Sequence, residues 1–246
     1  MSTLTGKVII VTGSSRGIGA TIAHKLANAG ASVVVNYAGG KDAAEQVVNG
    51  IKQQGGNAIA IQADVSNAAQ VKALFDATIA EYGKVDVLVN NAGIMITKLI
   101  KDTTDEEFTR QFDINVRGTF NTMREAATRL ADKGSIINFS TSVLRIMLPG
   151  YGTYVATKAA VEQLTRVFAK EAGSRGINVN SISPGPTNTE LFTNGKSQEV
   201  IARLASLSAF NRIGEPDDIA GLVLFLASDD AKWISAQNIG VNGGMA

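Results

Sequence analysis

Short apolar runs rich in β-branched residues recur along this chain, and they constrain its fold more than any other feature. They occupy residues 8–11, 33–35, 59–61, 85–89, 136–139, 177–182 and 239–241. The runs are mostly continuous rather than alternating with polar residues, which is typical of strands covered on both faces. The pattern therefore predicts a buried sheet of about seven strands.

Segments with helical periodicity lie between these runs. In the first of them, Ile18, Ile22 and Leu26 repeat every four residues, as one buried face of a helix does. Two further segments carry similar faces, at Ala44, Val47, Val48 and Ile51 and at Val71, Leu74, Phe75 and Thr78. Alternating strands and helices with right-handed crossovers form a doubly wound parallel sheet with helices on both faces. Residues 1–246 contain no linker, composition break or repeat, so we predict one α/β domain.

A glycine-rich turn joins the first predicted strand to the first predicted helix. It reads Thr-Gly-Ser-Ser-Arg-Gly-Ile-Gly over residues 12–19. Its glycines allow a tight turn, close approach of backbone to a pyrophosphate, and close packing of helix on strand, while the helix N-terminus attracts the phosphates. This context predicts a Rossmann-type cofactor turn, with contacts from Gly13, Ser15, Arg16, Gly17, Ile18 and Gly19.

The end of the second predicted strand indicates which dinucleotide the turn would hold. NAD-binding strands usually end in Asp or Glu, whose carboxylate accepts hydrogen bonds from the ribose 2′-hydroxyl. Here Asn36 and Tyr37 stand at that point, and the first carboxylate is Asp42. Neutral residues with Arg16 nearby, and Lys41 as a second candidate cation, suit a 2′-phosphate. We therefore predict NADP(H), with Asn36 and Tyr37 beside its ribose.

Tyr154 and Lys158 form the candidate proton-transfer pair. They stand four residues apart in a segment with helical character, so their side chains project from one helix face. A phenol normally titrates near ~10. A neighbouring ammonium favours the phenolate, so we expect Lys158 to lower the pKa of Tyr154 toward the working pH.

Composition excludes several other classes of function. Basic and acidic residues number 23 and 22, for a formal net charge of +1, which builds no field for nucleic acid. The chain has no cysteine, and no cluster of His, Asp and Glu has the spacing of a metal site. We expect no metal, no membrane span and no signal peptide, because the first residues lead directly into a strand. A cytoplasmic location is the expectation.

Taken in order, the motifs resemble the single-domain branch of the short-chain dehydrogenase/reductase family over essentially the whole chain. They are the turn at residues 12–19, Asp64-Val65, Asn-Asn-Ala-Gly at 90–93, Asn115, Tyr154 with Lys158, and Pro184-Gly185. The nearest resemblance is to 3-oxoacyl-carrier-protein reductase-like enzymes, which include general ketone reductases. Tyr154 would then protonate a developing alkoxide, and Lys158 would also bind the nicotinamide ribose.

The resemblance implies further cofactor contacts. Asp64 and Val65 would flank the adenine, and Asn90, Ala92 and Gly93 would line the middle of the groove. Pro184, Gly185, Thr187 and Thr189 would hold the nicotinamide end. Two structural alternatives remain open: Asn90 could simply hydrogen-bond across strand ends, and Pro184-Gly185 could be only a turn.

Two catalytic assignments also follow from the resemblance. Asn115 would hold a water that connects Lys158 to solvent, or else satisfy the backbone of a kinked helix. The family's substrate-binding serine, counted back from Tyr154, falls on Thr141, a departure from the pattern. A threonine hydroxyl can donate the same hydrogen bond, but a shift of one residue would present Ser142 instead, so both stay candidates.

The predicted substrate pocket is apolar. Its candidate walls are Ile94, Met95, Leu144, Ile146, Met147, Tyr151, Leu191 and Phe192. Residues 187–196 are polar and contain Asn194-Gly195, which predicts a mobile lid. These walls favour a small-molecule ketone or acyl substrate over a sugar. The resemblance also implies a homotetramer, formed through two central helices and the C-terminal strand.

Three functions are compatible with the sequence. The first is an NADPH-dependent carbonyl reductase, with Tyr154 as proton donor. The second is an NAD-linked secondary alcohol dehydrogenase, which the absence of a carboxylate at residues 36–37 disfavours. The third is a non-catalytic dinucleotide sensor, which the presence of both Tyr154 and Lys158 disfavours.

Overall fold

Seven parallel strands form one sheet within residues 3–246, the part of the chain that the computed structural model describes; Met1 and Ser2 lie outside it. Each predicted apolar run overlaps a strand, so the predicted Rossmann-type sheet is confirmed. The strands are β1 (Val8–Val11), β2 (Ser32–Tyr37), β3 (Asn57–Gln62), β4 (Val87–Asn90), β5 (Ser135–Phe139), β6 (Asn178–Pro184) and β7 (Asn238–Val241).

Helices cover both faces of this sheet. They are α1 (Gly17–Asn28), α2 (Lys41–Gln53), α3 (Ala68–Tyr82), α4 (Asp105–Phe112), α5 (Gly118–Arg129), α6 (Val143–Ile146), α7 (Gly152–Glu171), α8 (Glu190–Thr193), α9 (Gln198–Ala205) and α10 (Pro216–Ala227). A π-helical turn, Asp113–Arg117, joins α4 to α5. Within residues 3–246, no helix is both long enough and apolar enough to cross a membrane.

Successive residues of β1 point into opposite layers of the core. Ile9 and Val11 pack with residues of α1, α2 and α10, whereas Ile10 packs with residues of α3, α5 and α7. Side chains alternate across a strand, so a strand between two helical layers buries every position. This is why the strands appear in the sequence as continuous apolar runs.

The sheet order creates a crevice at the carboxyl ends of the central strands. That order is β3-β2-β1-β4-β5-β6-β7, so the chain leaves β1 toward one edge and returns at β4 on its other side. Loops that diverge in this way leave an opening at the switch point, where doubly wound sheets bind their ligands. The candidate site is therefore expected beyond the ends of β1 and β4.

Candidate active site

A groove of about 1400 Å³ runs along the carboxyl ends of β1 to β4. Its walls come from the glycine turn, from the loops that follow β2, β3 and β4, and from residues 189–194 opposite. The predicted cofactor residues that line it are Gly13, Ser15, Arg16, Gly17, Ile18, Gly19, Asn36, Tyr37, Asp64, Val65, Ala92, Gly93 and Thr189.

Two glycines of the turn have no room for a side chain because other parts of the protein pack against them, whereas at Gly17 it is the φ of +56° that favours glycine. Gly13 has φ +61°, and a Cβ there would lie 2.9 Å from the Cα of Ala92. A Cβ on Gly19 would lie 2.5 Å from Nδ2 of Asn91. Asn91 Nδ2 donates to the Thr12 and Gly13 carbonyls at 2.9 Å, and so fixes the turn. Sequence reasoning missed Asn91, although it lies inside the predicted motif.

Asn36 supports the turn rather than reaching the groove with a free amide. It is 1% exposed, and its Nδ2 donates to the Ile61 and Ala63 carbonyls at 3.2 and 3.0 Å. Its Oδ1 accepts from Gly13 N at 3.3 Å. Both amide hydrogens are therefore engaged within the protein, so Asn36 lines the groove without a free donor, and its place beside the ribose stays a prediction. At this end of the groove, Tyr37 and the two residues that follow it lie beside Asn36.

Arg16 is the exposed cation at this end of the groove. Its side chain is 81% exposed, and its nearest carboxylate, on Glu190 across the groove, is 3.9 Å away. A pair this exposed and this long contributes little stability, so Arg16 can turn toward an anionic ligand. Lys41, the second candidate cation, pairs with Glu45 at 3.5 Å instead.

Asn90 lies behind the groove. Its Nδ2 donates to Asn138 Oδ1 at 2.8 Å, and its Oδ1 accepts from the Thr122 hydroxyl at 2.7 Å. Within residues 3–246 it lines neither the groove nor the cavity that adjoins it. The side chain therefore matches the structural alternative, a bond across the ends of β4 and β5, and the assignment of Asn90 as a cofactor contact stays a prediction.

A smaller apolar cavity of about 140 Å³ adjoins the groove and shares Gly93, Ile94, Thr189 and Leu191 with it. The predicted site residues Thr141, Tyr154, Lys158, Pro184, Gly185 and Thr187 also line this cavity. So do the predicted walls Ile94, Met95, Ile146, Tyr151, Leu191 and Phe192. The groove and the cavity thus bring the candidate cofactor and catalytic residues together.

One face of helix α6 lines the cavity, and the other face points away from it. Val143 and Ile146, three residues apart, line the cavity. Leu144 and Met147 lie on the other side of this single turn, and Met147 is 80% exposed. Their assignment as walls was therefore wrong. The walls that sequence reasoning missed include Leu148, Leu204 and, from the far end of the chain, Met245.

Tyr154 and Lys158 lie one turn apart on α7, as predicted. The ammonium of Lys158 donates to the Phe139 carbonyl at 2.9 Å and lies 5.8 Å from the centre of the Tyr154 ring. Burial of the charged forms raises the pKa of Tyr154 to about 12 and lowers the pKa of Lys158 to about 8. The pKa of Tyr154 thus shifts in the direction opposite to the one expected, because desolvation is the largest influence on it, and the phenol is held neutral.

The two hydroxyl candidates on the loop after β5 face different partners. The side chain of Thr141 interacts with the Tyr154 hydroxyl, which partly offsets the rise in the pKa of Tyr154. Ser142 donates to the Ser183 carbonyl at 2.9 Å and accepts from Asn242 Nδ2 at 2.8 Å. Ser142 is fully buried and does not line the cavity. The geometry therefore favours Thr141 over Ser142 as the group that meets a substrate oxygen.

Asn115 lies in the π-helical turn, and its amide is saturated by protein. Its Oδ1 accepts from Ile94 N at 2.8 Å, and its Nδ2 donates to the Ile94 carbonyl at 2.9 Å and to Thr157 at 3.0 Å. The side-chain amide thus satisfies the backbone, as the structural alternative held. Asn115 and Lys158 remain neighbours, because a Cβ on Gly93 would lie 3.2 Å from Asn115 Oδ1 and 3.4 Å from Lys158 Nζ.

Gln111, four residues earlier, extends this support. Its Oε1 accepts from Ile96 N at 3.0 Å, while its buried Nε2 has no hydrogen-bond partner among the described residues. Together Gln111 and Asn115 hold both ends of the segment that carries the cavity walls Ile94 and Met95. Nothing in the sequence pattern singled out Gln111.

Comparison with known proteins places the chain in a family. A family model described as Enoyl-(Acyl carrier protein) reductase matches residues 13–246. The 3-oxoacyl-[acyl-carrier-protein] reductase of Staphylococcus aureus is 44% identical over 241 residues, covering 97% of this chain and 98% of that protein. The solved short-chain dehydrogenase/reductase from Serratia marcescens has a TM-score of 0.94 at 35% identity, covering 98% of both chains. The chain belongs to the short-chain dehydrogenase/reductase family.

A second solved structure adds a cofactor to the comparison. The angucycline C-6 ketoreductase LanV with bound NADP is 40% identical, with a TM-score of 0.94, and the match covers 99% of this chain and 97% of that one. Membership of the short-chain dehydrogenase/reductase family makes this chain an oxidoreductase acting on alcohol or carbonyl groups. The glycine turn and the groove fit a dinucleotide cofactor.

Proposed function

We propose that this short-chain dehydrogenase/reductase is an NADPH-dependent carbonyl reductase that converts a ketone or 3-oxoacyl substrate to a secondary alcohol. The observation that carries the proposal is the meeting of the Tyr154 and Thr141 hydroxyls at an apolar cavity that opens into the groove. A carbonyl in that cavity can accept a hydrogen bond from Thr141 and a proton from Tyr154.

Tyr154 acts as the general acid in the reduction direction. A phenol with a pKa of about 12 is protonated at neutral pH and ready to donate. The nicotinamide, when bound, supplies the hydride. Reversal of the reaction requires the phenolate, so the same pKa makes alcohol oxidation slow at neutral pH.

Lys158 and Asn115 act around the tyrosine. The low pKa of Lys158 allows its ammonium to release and regain a proton near the working pH, which suits a group that replenishes Tyr154. By family resemblance Lys158 also binds the nicotinamide ribose. Asn115 fixes the Ile94 backbone beside it through two hydrogen bonds and reaches Thr157 on α7 through a third.

NADP(H) is the proposed cofactor. The groove beyond β2 is lined by Tyr37, Ala38 and Gly39 rather than by a carboxylate, and the exposed Arg16 lies at the same end. LanV, a similar protein, was solved with bound NADP. The test is the ratio of kcat/KM for NADPH to that for NADH. A ratio well above one is expected, and a ratio below one refutes the assignment.

The substrate is proposed to be an apolar ketone or acyl thioester. Aliphatic and aromatic side chains make up most of the cavity wall, which offers few partners for a sugar. Two similar proteins are named for keto groups on different scaffolds, a 3-oxoacyl chain and an angucycline. NADPH oxidation should be measured with acetoacetyl thioesters, β-keto esters and aryl ketones.

The same assay separates the alternatives. A reductase turns over at least one ketone with NADPH. An NAD-linked dehydrogenase prefers NAD⁺ and a secondary alcohol. A sensor binds NADPH, as shown by a rise in Tm, but turns over no substrate in the panel.

Assembly and location are also proposed. Exposed apolar side chains occur on the two central helices and near the C-terminal strand, at Phe120, Val167, Phe225 and Trp233. Such side chains on a soluble protein often mark contacts between copies, which supports the expected homotetramer in the cytoplasm. Light scattering should give four times the chain mass for the parent protein. The Phe120→Glu variant should give a lower mass.

A further inference from the structure

Three residues at successive turns of α7 contact residues 139–141, which run from the last residue of β5 into the loop that follows it. Lys158 donates to the carbonyl of Phe139, and the Tyr154 hydroxyl interacts with the Thr141 side chain. Between these two, residue 140 also has a partner on α7: the Ser140 hydroxyl donates to Oε1 of Glu162 at 2.7 Å. Residues 154, 158 and 162 share one helix face, since each is four residues from the next. The proposed catalytic pair is thus the first two members of a row of three.

Glu162 is a sheltered carboxylate with two donors on one oxygen. Its side chain is 15% exposed, and Oε1 accepts from Ser140 and from Nδ2 of Asn238 on β7. Its other oxygen faces Arg166 at 3.9 Å, which is too long for a hydrogen bond. The carboxylate therefore ties the segment after β5 to the neighbouring end of the sheet.

The same network of hydrogen bonds reaches Ser142, the residue on the other side of Thr141. Asn238 Oδ1 accepts from the Ser183 hydroxyl at 2.9 Å, and the Ser183 carbonyl accepts from the Ser142 hydroxyl at 2.9 Å. Both neighbours of Thr141 therefore join one network, whose only charged member among these contacts is Glu162. Backbone bonds from Ser140 N to Ile182 O, and from Ser142 N to Pro184 O, hold the same segment against β6.

We propose that Glu162 is a positioning residue for carbonyl reduction: by holding Ser140, it keeps the Thr141 hydroxyl where it meets both Tyr154 and the substrate oxygen. This rests on the proposed function, in which Thr141 donates to that oxygen. If Ser140 rotates, the hydroxyl of the neighbouring Thr141 moves with the backbone. A displacement of a catalytic group by about 1 Å can lower the rate about 100-fold. Glu162 touches neither cavity, so it acts through Ser140.

The test compares two changes at Glu162 with matched changes at Glu171, an exposed glutamate at the end of the same helix. Glu162→Gln keeps an oxygen that accepts from both donors, whereas Glu162→Leu removes it. We expect Glu162→Leu to lower kcat roughly 10- to 100-fold with little change in the KM for ketone. Glu162→Gln should restore kcat to within about threefold of the parent, and both Glu171 variants should match the parent.

A double-mutant cycle checks the route of the effect. Ser140→Ala should lower kcat in the same way, and adding it to Glu162→Leu should cause little further loss, because the two changes break one bond. A merely stabilising role for Glu162 predicts a lower free energy of unfolding with kcat per folded molecule unchanged. That result, or equal kcat losses for Glu162→Gln and Glu162→Leu, would overturn the proposal.

Thr141→Ala, measured in parallel, separates failure of this inference from failure of the proposed function. If Thr141→Ala loses kcat while Glu162→Leu does not, the function stands and the inference fails. If the parent reduces no ketone, or Thr141→Ala retains full kcat, the proposed function itself fails.

Discussion

The Ser142 hydroxyl donates a hydrogen bond to the Ser183 carbonyl at 2.9 Å, and this bond turns it away from the cavity that Thr141 faces. We expect Thr141→Ala to lower kcat by the equivalent of about 2–4 kcal/mol, the typical cost of removing a donor to a developing oxyanion. Steady-state kinetics with a ketone and NADPH measure this loss.

Ser142→Ala should lower the stability of the protein and leave kcat nearly unchanged. It removes one of the two acceptors of Asn242 Nδ2 and one donor to the Ser183 carbonyl, so the free energy of unfolding should fall by about 1–3 kcal/mol. Its kcat should stay within severalfold of the parent. A large kcat loss in Ser142→Ala with full activity in Thr141→Ala would reverse the assignment.

We expect the side chain of Asn36 to contribute to the stability of the fold. Asn36→Ala removes three hydrogen bonds, to Gly13, Ile61 and Ala63, so the free energy of unfolding should fall by about 2–4 kcal/mol. Asn49→Ala on the exposed face of α2 is the matched control and should change little. Urea denaturation measures both. An unchanged stability in Asn36→Ala would show that the amide is free for ligand.

Residue type and order predict the strands, the glycine turn and the pair on α7, because each depends on local spacing. They do not predict which of two adjacent polar residues faces the site. Asn90 ends β4 and Asn91 directly follows it, and only their different hydrogen-bond partners distinguish them. Thr141 and Ser142 are likewise distinguished only by the residues that their hydroxyls contact.

Two other features also required the tertiary structure. The direction of the pKa shift of Tyr154 depends on how completely the surroundings exclude water, which spacing does not reveal. Met245 reaches the cavity from the far end of the chain, more than ninety positions from Tyr154 in sequence. Its neighbours along the chain give no sign of this contact.

Lys158 should make stability depend on alkaline pH. Its pKa is lowered from 10.5 to about 8, so within that window the unfolded chain holds a proton that the folded protein has released. The free energy of unfolding therefore gains up to about 3 kcal/mol from this group as pH rises through the window, and loses it as pH falls.

Lys158→Met removes this titration. Unfolding in urea should show that the difference in free energy of unfolding between this variant and the parent shifts by about 3 kcal/mol between neutral pH and pH near 10. The parent gains relative to the variant as pH rises. A difference that is constant with pH would show that Lys158 keeps its ordinary pKa in the folded protein.

Met245 should limit the size of the substrate. Met245→Ala widens the cavity, so kcat/KM for bulky aryl ketones should rise relative to that for small ketones. Met147→Ala is the matched control, since Met147 is exposed and lies outside the cavity. Equal selectivity in both variants would place the substrate away from Met245.

The most direct test of the account is ketone reduction by Tyr154→Phe, with Tyr151→Phe as the neighbouring control, whose ring centre lies 6.5 Å away. Loss of the general acid should lower kcat roughly 10²- to 10⁴-fold, while the variant stays folded and its Tm still rises on binding NADPH. Tyr151→Phe should keep most of its activity. Ketone reduction by folded, NADPH-bound Tyr154→Phe at the rate of the parent would contradict the account.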